Sequence, residues 1–150
     1  MMPTFYHWLE TALQENFELV RKIKESPRGS VSQLRHRTTG QKVILRRFTG
    51  NAEVYQKLLG YSCQNLPKIL EVATQEEENL VLEEFIEGDT LGFLLQDALF
   101  SVEETRQIVT QICRALWVLH DMDAVHRDIK PENVILRGAD AILIDFDAAR

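Results

Sequence analysis

Residues 126–133 read His-Arg-Asp-Ile-Lys-Pro-Glu-Asn, and Asp145 opens the triplet Asp-Phe-Asp twelve residues after this stretch ends. The stretch brings a carboxylate (Asp128), an ammonium group (Lys130) and an amide (Asn133) into one short segment. A carboxylate can take a proton from a hydroxyl, and a nearby cation can neutralise an anionic group in transfer. Carboxylate and amide oxygens are also the ligands that hard divalent cations prefer. The stretch therefore indicates metal-dependent group transfer.

Each of these residues also has an ordinary structural explanation. Asp128 could cap a turn, Lys130 could be a solvated surface charge, and Asn133 could hold its own loop. Their joint occurrence, in this order and beside two apolar segments, favours a site instead. Those segments, residues 134–136 and 141–144, are predicted to be short strands joined by a turn, so the chemistry-bearing residues would lie on two loops.

Before this stretch, the sequence predicts helices. Residues 90–97 are expected to form a short helix. Ser101 and Glu104 have the spacing of a capping box, which would open a long helix. Its apolar side chains cover a wide face, so the helix is expected to be buried, with Cys113 in the core. This face consists of Ile108, Val109, Ile112, Cys113, Leu116 and Leu119.

The first half of the chain instead predicts a small, mainly antiparallel sheet. Apolar side chains recur at helical spacing over residues 4–15, which predicts an amphipathic helix. Strand-like segments bounded by turn residues follow, with a brief helix after Gly50. The predicted strands are residues 17–23, 30–36, 42–48, 68–73 and 80–85.

The composition limits the classes of function. The 150 residues carry a net charge of −6 and are 45% hydrophobic and 27% charged, as in soluble globular proteins. The negative balance argues against a nucleic-acid partner, and no apolar run approaches the length of a membrane span. Cys63 and Cys113 are far apart and follow no metal-ligand spacing, so reduced thiols and a cytoplasmic location are expected.

The two motifs resemble the H-R-D-x-x-x-x-N and D-F-G motifs of eukaryotic-type serine/threonine protein kinases, and the short first half is most similar to the compact bacterial kind. The resemblance implies an α+β, protein-kinase-like two-lobe fold, truncated after the D-F-G-like motif. Residues 1–84 would form the N-terminal lobe, residues 85–88 the hinge, and residues 89–150 the first part of the C-terminal lobe. The parent domain would transfer a phosphoryl group from ATP, with Mg²⁺, to serine or threonine of a protein substrate.

The resemblance also implies a role for each residue of the two loops. Asp128 would be the catalytic base, and Lys130 would stabilise charge on the transferred phosphate. Asn133, part of the catalytic loop, and Asp145 would bind the metal.

The first half carries the implied phosphate-binding positions. Gly29 and Val31 occupy the place of the glycine-rich loop, although only one of the three family glycines is present. Arg46 stands where the family has the lysine of its V-A-I-K strand. Glu53, in the brief helix, is expected to pair with Arg46 across the nucleotide site.

The hinge carries the implied adenine-binding positions. Backbone groups of Glu84 and Ile86 would bind the base. Glu83 falls at the position that the family calls the gatekeeper.

Three departures from the family pattern keep other functions open: the poor glycine loop, Arg46 in place of lysine, and Asp147 in place of the motif glycine. They support a pseudokinase, or a nucleotide-binding scaffold that regulates a partner. A small-molecule phosphotransferase of the aminoglycoside or choline kinase kind is a third reading. Those relatives usually carry glycine where Arg127 stands.

The resemblance further implies an activation segment and several helices after Arg150. The 150-residue chain is therefore expected to be inactive as a protein kinase. It is also expected to self-associate, or to bind a partner, through the exposed face of its C-terminal lobe.

Overall fold

The structure is a computed structural model that describes residues 4–150 in two compact units. The first unit consists of the chain up to Gly60 and Lys68–Phe85. The second consists of Tyr61–Pro67 and Ile86–Arg150. Residues 61–67 therefore pack with the second unit, although the sequence predicts them to be part of the first. In the described part of the chain, no helix has the length and apolar character needed to cross a membrane.

The first unit is a five-stranded antiparallel sheet with two helices. Each predicted strand is present, within about three residues of its expected ends. The strand order is β1-β2-β3-β5-β4. The elements are α1 (Phe5–Asn16), β1 (Phe17–Ser26), β2 (Gly29–His36), β3 (Lys42–Thr49), α2 (Glu53–Leu58), β4 (Ile69–Gln75) and β5 (Glu78–Glu84).

Helix α1 covers one face of this sheet. Thr4 caps it by accepting a hydrogen bond from the His7 N–H at 3.2 Å. The helix buries Tyr6, Leu9 and Leu13 against apolar side chains of the strands, and each buried leucine contributes about 2 kcal/mol. Because side chains alternate along a strand, this packing leaves Ile44, Arg46 and Phe48 on the opposite face. The covered face presents Leu34, Val43, Leu45, Ala73, Leu80 and Leu82.

The second unit combines helices with a three-stranded antiparallel sheet of order β6-β7-β8. Gly88 precedes β6 with a φ of 152°, and a Cβ there would lie 2.2 Å from the Leu136 carbonyl oxygen, so only glycine fits. A single 3-10 turn, Pro131–Asn133, leads into β7. The other elements are β6 (Asp89–Thr90), α3 (Leu91–Leu94), α4 (Val102–Asp121), β7 (Val134–Arg137) and β8 (Asp140–Leu143).

Helix α4 begins with the predicted capping box, in which Ser101 and Glu104 each accept from the other's backbone N–H. The expectation that the helix is buried is wrong. It packs against β8 on one side, and only Ala115 and Leu119 are buried. Cys113, expected in the core, is exposed. A wide apolar stripe shows that a helix face can be buried, but it does not show which part of the protein, if any, packs on that face.

The short segment 61–67 fixes the last strand. Asn65 donates from Nδ2 to the Ala141 carbonyl at 2.9 Å, and its own carbonyl accepts from the Leu143 N–H at 2.9 Å. Gln111 of α4 accepts from the Ala141 N–H at 2.9 Å. Strand β8 is thus held from two sides just before Asp145, which the sequence predicts as a metal ligand.

Candidate active site

The catalytic loop brings its three predicted residues together. Pro131 starts the 3-10 turn, in which the Asn133 N–H donates to the Lys130 carbonyl at 2.9 Å. The Asn133 Nδ2 then donates to the Asp128 carbonyl oxygen at 3.0 Å and to Asp128 Oδ2 at 3.1 Å. Lys130 Nζ lies 3.6 Å from the same Oδ2. With the amide nitrogen on Asp128, the amide oxygen of Asn133 is the atom that could bind a metal.

His126 connects the catalytic loop to the strand before Asp145. Its Nδ1 accepts from the Asp128 N–H at 3.1 Å, and its Nε2 donates to the Ile144 carbonyl at 2.9 Å. The ring is fully buried and packs edge-on against Phe146, with 5.5 Å between ring centroids. Sequence reasoning gave His126 no role of its own. Its carbonyl partner is 18 residues away, so no local pattern could have shown the connection.

Two residues of these loops have an unusual backbone. Arg127 has a φ of 72° and Asp145 a φ of 65°, both in the left-handed region that non-glycine residues rarely adopt. Such a conformation costs about 1–3 kcal/mol and tends to occur at functional sites. The strained backbone at Asp145 therefore adds weight to the predicted site.

Asp145 and Asp147 interact directly. The Asp145 side chain is buried, and its Oδ1 accepts from the Asp147 N–H at 3.2 Å. Asp147, in place of the family glycine, does not adopt a positive φ. The substitution is therefore compatible with the backbone of this loop. The Ile144 N–H also donates to the Asn133 carbonyl at 2.9 Å, which ties the two metal-binding candidates to adjacent strands.

The structure corrects the predicted pairing of Arg46. Its Nε donates to Oε1 of Glu83 at 2.9 Å, and both side chains are buried. Glu53, the expected partner, is 63% exposed and pairs with Lys57 at 3.5 Å, one helical turn away. Arg46 and Glu83 each follow directly on a run of three apolar residues, 43–45 and 80–82. That shared feature was the sequence signal for their pairing, and it was missed.

The place of the glycine-rich loop is taken by a tight hairpin turn. Strands β1 and β2 pair up to Ser26 and Gly29, with Pro27 and Arg28 between them. A Cβ at Gly29 would lie 1.9 Å from the Arg47 carbonyl oxygen, so this glycine is required by strand packing. A phosphate contact at Gly29 stays a prediction.

The other predicted nucleotide-binding positions have the following surroundings. Val31 lies opposite Arg46 in the strand register and is buried. The Glu84 N–H donates to the Lys68 carbonyl at 2.9 Å, so an adenine contact at Glu84 would have to use its carbonyl. Ile86 is buried. Contacts of these residues with a nucleotide stay predictions.

Comparisons with known proteins agree on one family. A model of the protein kinase domain matches residues 17–150. Serine/threonine-protein kinase PknA of Nostoc sp. is 35% identical over 111 residues, which cover 72% of this chain and 20% of that protein. Serine/threonine-protein kinase D of Synechocystis sp. is 32% identical over 114 residues, 75% of this chain and 22% of that protein. The carbon catabolite-derepressing protein kinase of Saccharomyces cerevisiae is 29% identical over 134 residues, which cover 81% of this chain and 21% of that protein. The chain spans about a fifth of the length of these relatives.

Proposed function

The chain belongs to the protein kinase domain family, and we propose that it supplies nucleotide-binding and catalytic residues for ATP-dependent phosphorylation of serine or threonine in protein substrates. The observation that carries the proposal is the contact of Asn133 with Asp128, with Lys130 on the same carboxylate oxygen. In the proposed roles, these three side chains would serve one reacting hydroxyl as base, cation and metal ligand. The bacterial relatives are named serine/threonine-protein kinases, which supports serine/threonine specificity.

The chemistry divides among the residues as follows. Asp128, about two-fifths exposed, would accept the proton of the substrate hydroxyl. Lys130 would lie beside the transferred phosphate and offset its charge. Arg46 would bind the nucleotide phosphates, and backbone groups of Glu84 and Ile86 the adenine.

Asn133 and Asp145 fit a magnesium ion that is completed by nucleotide phosphates. Mg²⁺ is commonly held by one or two carboxylates together with substrate phosphates and water. Among residues 4–150 no cluster of three or more His, Cys, Asp or Glu side chains forms a metal site alone. When bound, the ion would neutralise charge on the phosphates. The amide oxygen of Asn133 and the carboxylate of Asp145 would orient it.

The proposal is tested by titrating the 150-residue chain with ATP, with and without Mg²⁺, by calorimetry. We expect binding that depends on Mg²⁺ and that the Asp145→Ala variant loses, because the buried carboxylate is the proposed metal ligand. Circular dichroism of both proteins checks the fold. A folded wild-type chain that gives no heat with Mg-ATP would contradict the proposal.

The acceptor is tested separately, with the 150-residue chain and with the longest product of the same gene. Transfer of phosphate to serine or threonine of a protein supports the kinase function. Transfer to an aminoglycoside or to choline supports the small-molecule alternative. Nucleotide binding without transfer by the longest product supports the regulatory scaffold, which the Arg46 and Asp147 substitutions favour. Inactivity of the 150-residue chain alone stays a prediction of this assay.

The proposal also includes a cellular location and self-association. A cytoplasmic location is proposed because Cys63 and Cys113 are both free thiols. Self-association is proposed because α4 exposes Val109 and Trp117, the latter by 75%. Light scattering over a dilution series tests self-association, and a monomer at every concentration would contradict it.

A further inference from the structure

Arg46 and Glu83 lie on the same face of neighbouring antiparallel strands. In the β3–β5 register, Arg46 lies opposite Val81, and Ile44 lies opposite Glu83. Residues directly opposite each other, and residues two apart on one strand, share a face of the sheet. Arg46 and Glu83 are therefore diagonal neighbours, a separation that long side chains span. Their 2.9 Å contact follows from the register of the sheet.

Burial makes this contact a fixed part of the first unit. The two side chains are 5% and 4% exposed. Buried charges are tolerated only when they are paired with good geometry, and loss of one partner leaves the other charge uncompensated. The strand pairing around the contact is continuous from Val43 to Thr49, which fixes the two backbone positions, and burial leaves the side chains little room to separate.

Glu53 is placed quite differently. It begins a helix of only six residues whose N-cap, Ala52, has no side chain that could accept a hydrogen bond. The Glu53 carboxylate is 63% exposed and pairs with Lys57 at 3.5 Å. Exposed pairs of this kind fix a side chain weakly. The structure thus puts the firmly held carboxylate on a strand and the loosely held one on the helix.

We propose that Glu83 is the positioning residue for the phosphate-binding cation and has the role that the family resemblance gave to Glu53. The inference rests on the proposed function, because Arg46 needs a nucleotide phosphate to bind. A guanidinium carries N–H groups on three nitrogen atoms, so Glu83 on Nε is compatible with phosphate on the same cation. Since Arg46 and Glu83 belong to one sheet, the orientation of the cation does not depend on the position of α2.

The test separates the phosphate contribution from the rest of the nucleotide affinity. Dissociation constants for Mg-ATP and for adenosine are measured with the 150-residue chain. The adenosine constant divided by the Mg-ATP constant reports the phosphate contribution. The variants are Glu83→Gln and, as the matched control, Glu53→Gln. A general disturbance of the site weakens both ligands, whereas a displaced cation weakens only Mg-ATP.

We expect Glu83→Gln to lower the ratio roughly tenfold, the size of one lost charge-assisted interaction, and to change adenosine affinity by less than about twofold. Glu53→Gln should leave the ratio within about twofold. An unchanged ratio in Glu83→Gln, or a tenfold loss in Glu53→Gln, overturns the inference while the nucleotide-binding proposal stands. If the wild type does not prefer Mg-ATP over adenosine, both the inference about Glu83 and the proposal that this chain binds ATP through its phosphates fail.

A second variant keeps the inference testable if Glu83→Gln does not fold. The double variant Arg46→Met with Glu83→Leu replaces both charges by apolar side chains of similar length, a change that buried pairs tolerate. This protein should fold and should lose the preference for Mg-ATP over adenosine. A folded double variant that keeps the preference would show that this pair does not serve the phosphates.

Discussion

The ion pair of the first unit is buried, whereas the ion pair of the catalytic loop is open to solvent. Arg46 and Glu83 are 2.9 Å apart and at most 5% exposed. Lys130 and Asp128 are 3.6 Å apart and 47% and 40% exposed. Buried pairs are rigid because separating them is costly, while exposed pairs exchange readily with water and with other ligands. One pair can hold a cation in place, and the other can release its carboxylate to a substrate.

This difference matches the tasks that the two pairs would perform. A cation that orients phosphates is useful when it is fixed before the nucleotide arrives. A base must instead meet a hydroxyl that comes from solvent, so its carboxylate has to be accessible. On this proposal the sheet would compensate for the departure of Arg46 from the family lysine, whereas the catalytic loop presents an exposed carboxylate.

The largest expected effect is on stability, from Arg46→Ala. The change leaves Glu83 buried without its cation, and removing one member of a buried pair costs about 3–5 kcal/mol. The measurement is the free energy of unfolding in urea. The double variant Arg46→Met with Glu83→Leu should recover most of the loss, since two apolar side chains leave no buried charge.

The neighbouring arginine provides the control for this comparison. Arg47 lies on the other face of β3 and pairs with Glu10 at 2.8 Å, but it is 39% exposed. Arg47→Ala should cost about 1 kcal/mol or less. Equal losses in Arg46→Ala and Arg47→Ala would show that burial does not distinguish the two pairs.

The second prediction concerns Asp128→Asn, which should separate activity from stability. Because the Asp128 side chain is partly exposed, the substitution should change the free energy of unfolding of the protein by less than about 1 kcal/mol. Mg-ATP affinity should also stay within about threefold. Phosphotransfer by the longest product of the gene should fall roughly 10²–10⁴-fold, the usual contribution of a general base. Undiminished transfer would exclude Asp128 as the base.

The third prediction tests whether the exposed pair depends on buried support. In His126→Phe the ring is kept, but the Asp128 N–H and the Ile144 carbonyl lose their partner. Each unsatisfied buried group costs about 1–3 kcal/mol. Because both contacts are only partly buried, we expect a loss near the lower end of the sum, roughly 2–3 kcal/mol by urea unfolding. His120→Phe, at an exposed position of α4, should change stability by less than about 0.5 kcal/mol. Similar losses of stability in His126→Phe and His120→Phe would show that His126 does not support the catalytic loop.

Local patterns accounted for most of the elements. The helix α1, the strands and the capping box at Ser101 were predicted because periodicity, turns and caps involve residues near each other in sequence. The burial of α4 was predicted wrongly, because an apolar stripe does not reveal what covers it. Residues 61–67 were predicted in the first unit but pack in the second. The reason is similar, because Asn65 binds strand β8 about 76 residues later in the chain.

In the candidate site, too, contacts between residues near each other in sequence were predictable and distant ones were not. Asn133 contacts Asp128 five residues before it, so the motif alone brought them together. The partner of Arg46 lies 37 residues away and becomes visible only with the strand register. The helix carboxylate, Glu53, was chosen by resemblance, and the geometry of the sheet replaced it with Glu83.

The smallest expected effect is that of Lys130→Met on stability. This variant tests the exposed ion pair, Lys130–Asp128, directly. Lys130 and Asp128 are half exposed and 3.6 Å apart, so their attraction is weakened by water and by salt. The loss should be below about 1 kcal/mol at low salt and should shrink further in 0.5 M NaCl, where the Debye length is only about 4 Å. Lys22→Met is the matched control, because Lys22 pairs with Glu25 at 3.3 Å with similar exposure but far from the catalytic loop in sequence. The two variants should unfold alike in urea, and only Lys130→Met should lower phosphotransfer by the longest product of the gene. A loss above about 2 kcal/mol that persists in salt would mean that the Lys130–Asp128 pair is a fixed structural contact like that of Arg46, and the contrast between the two pairs would fail.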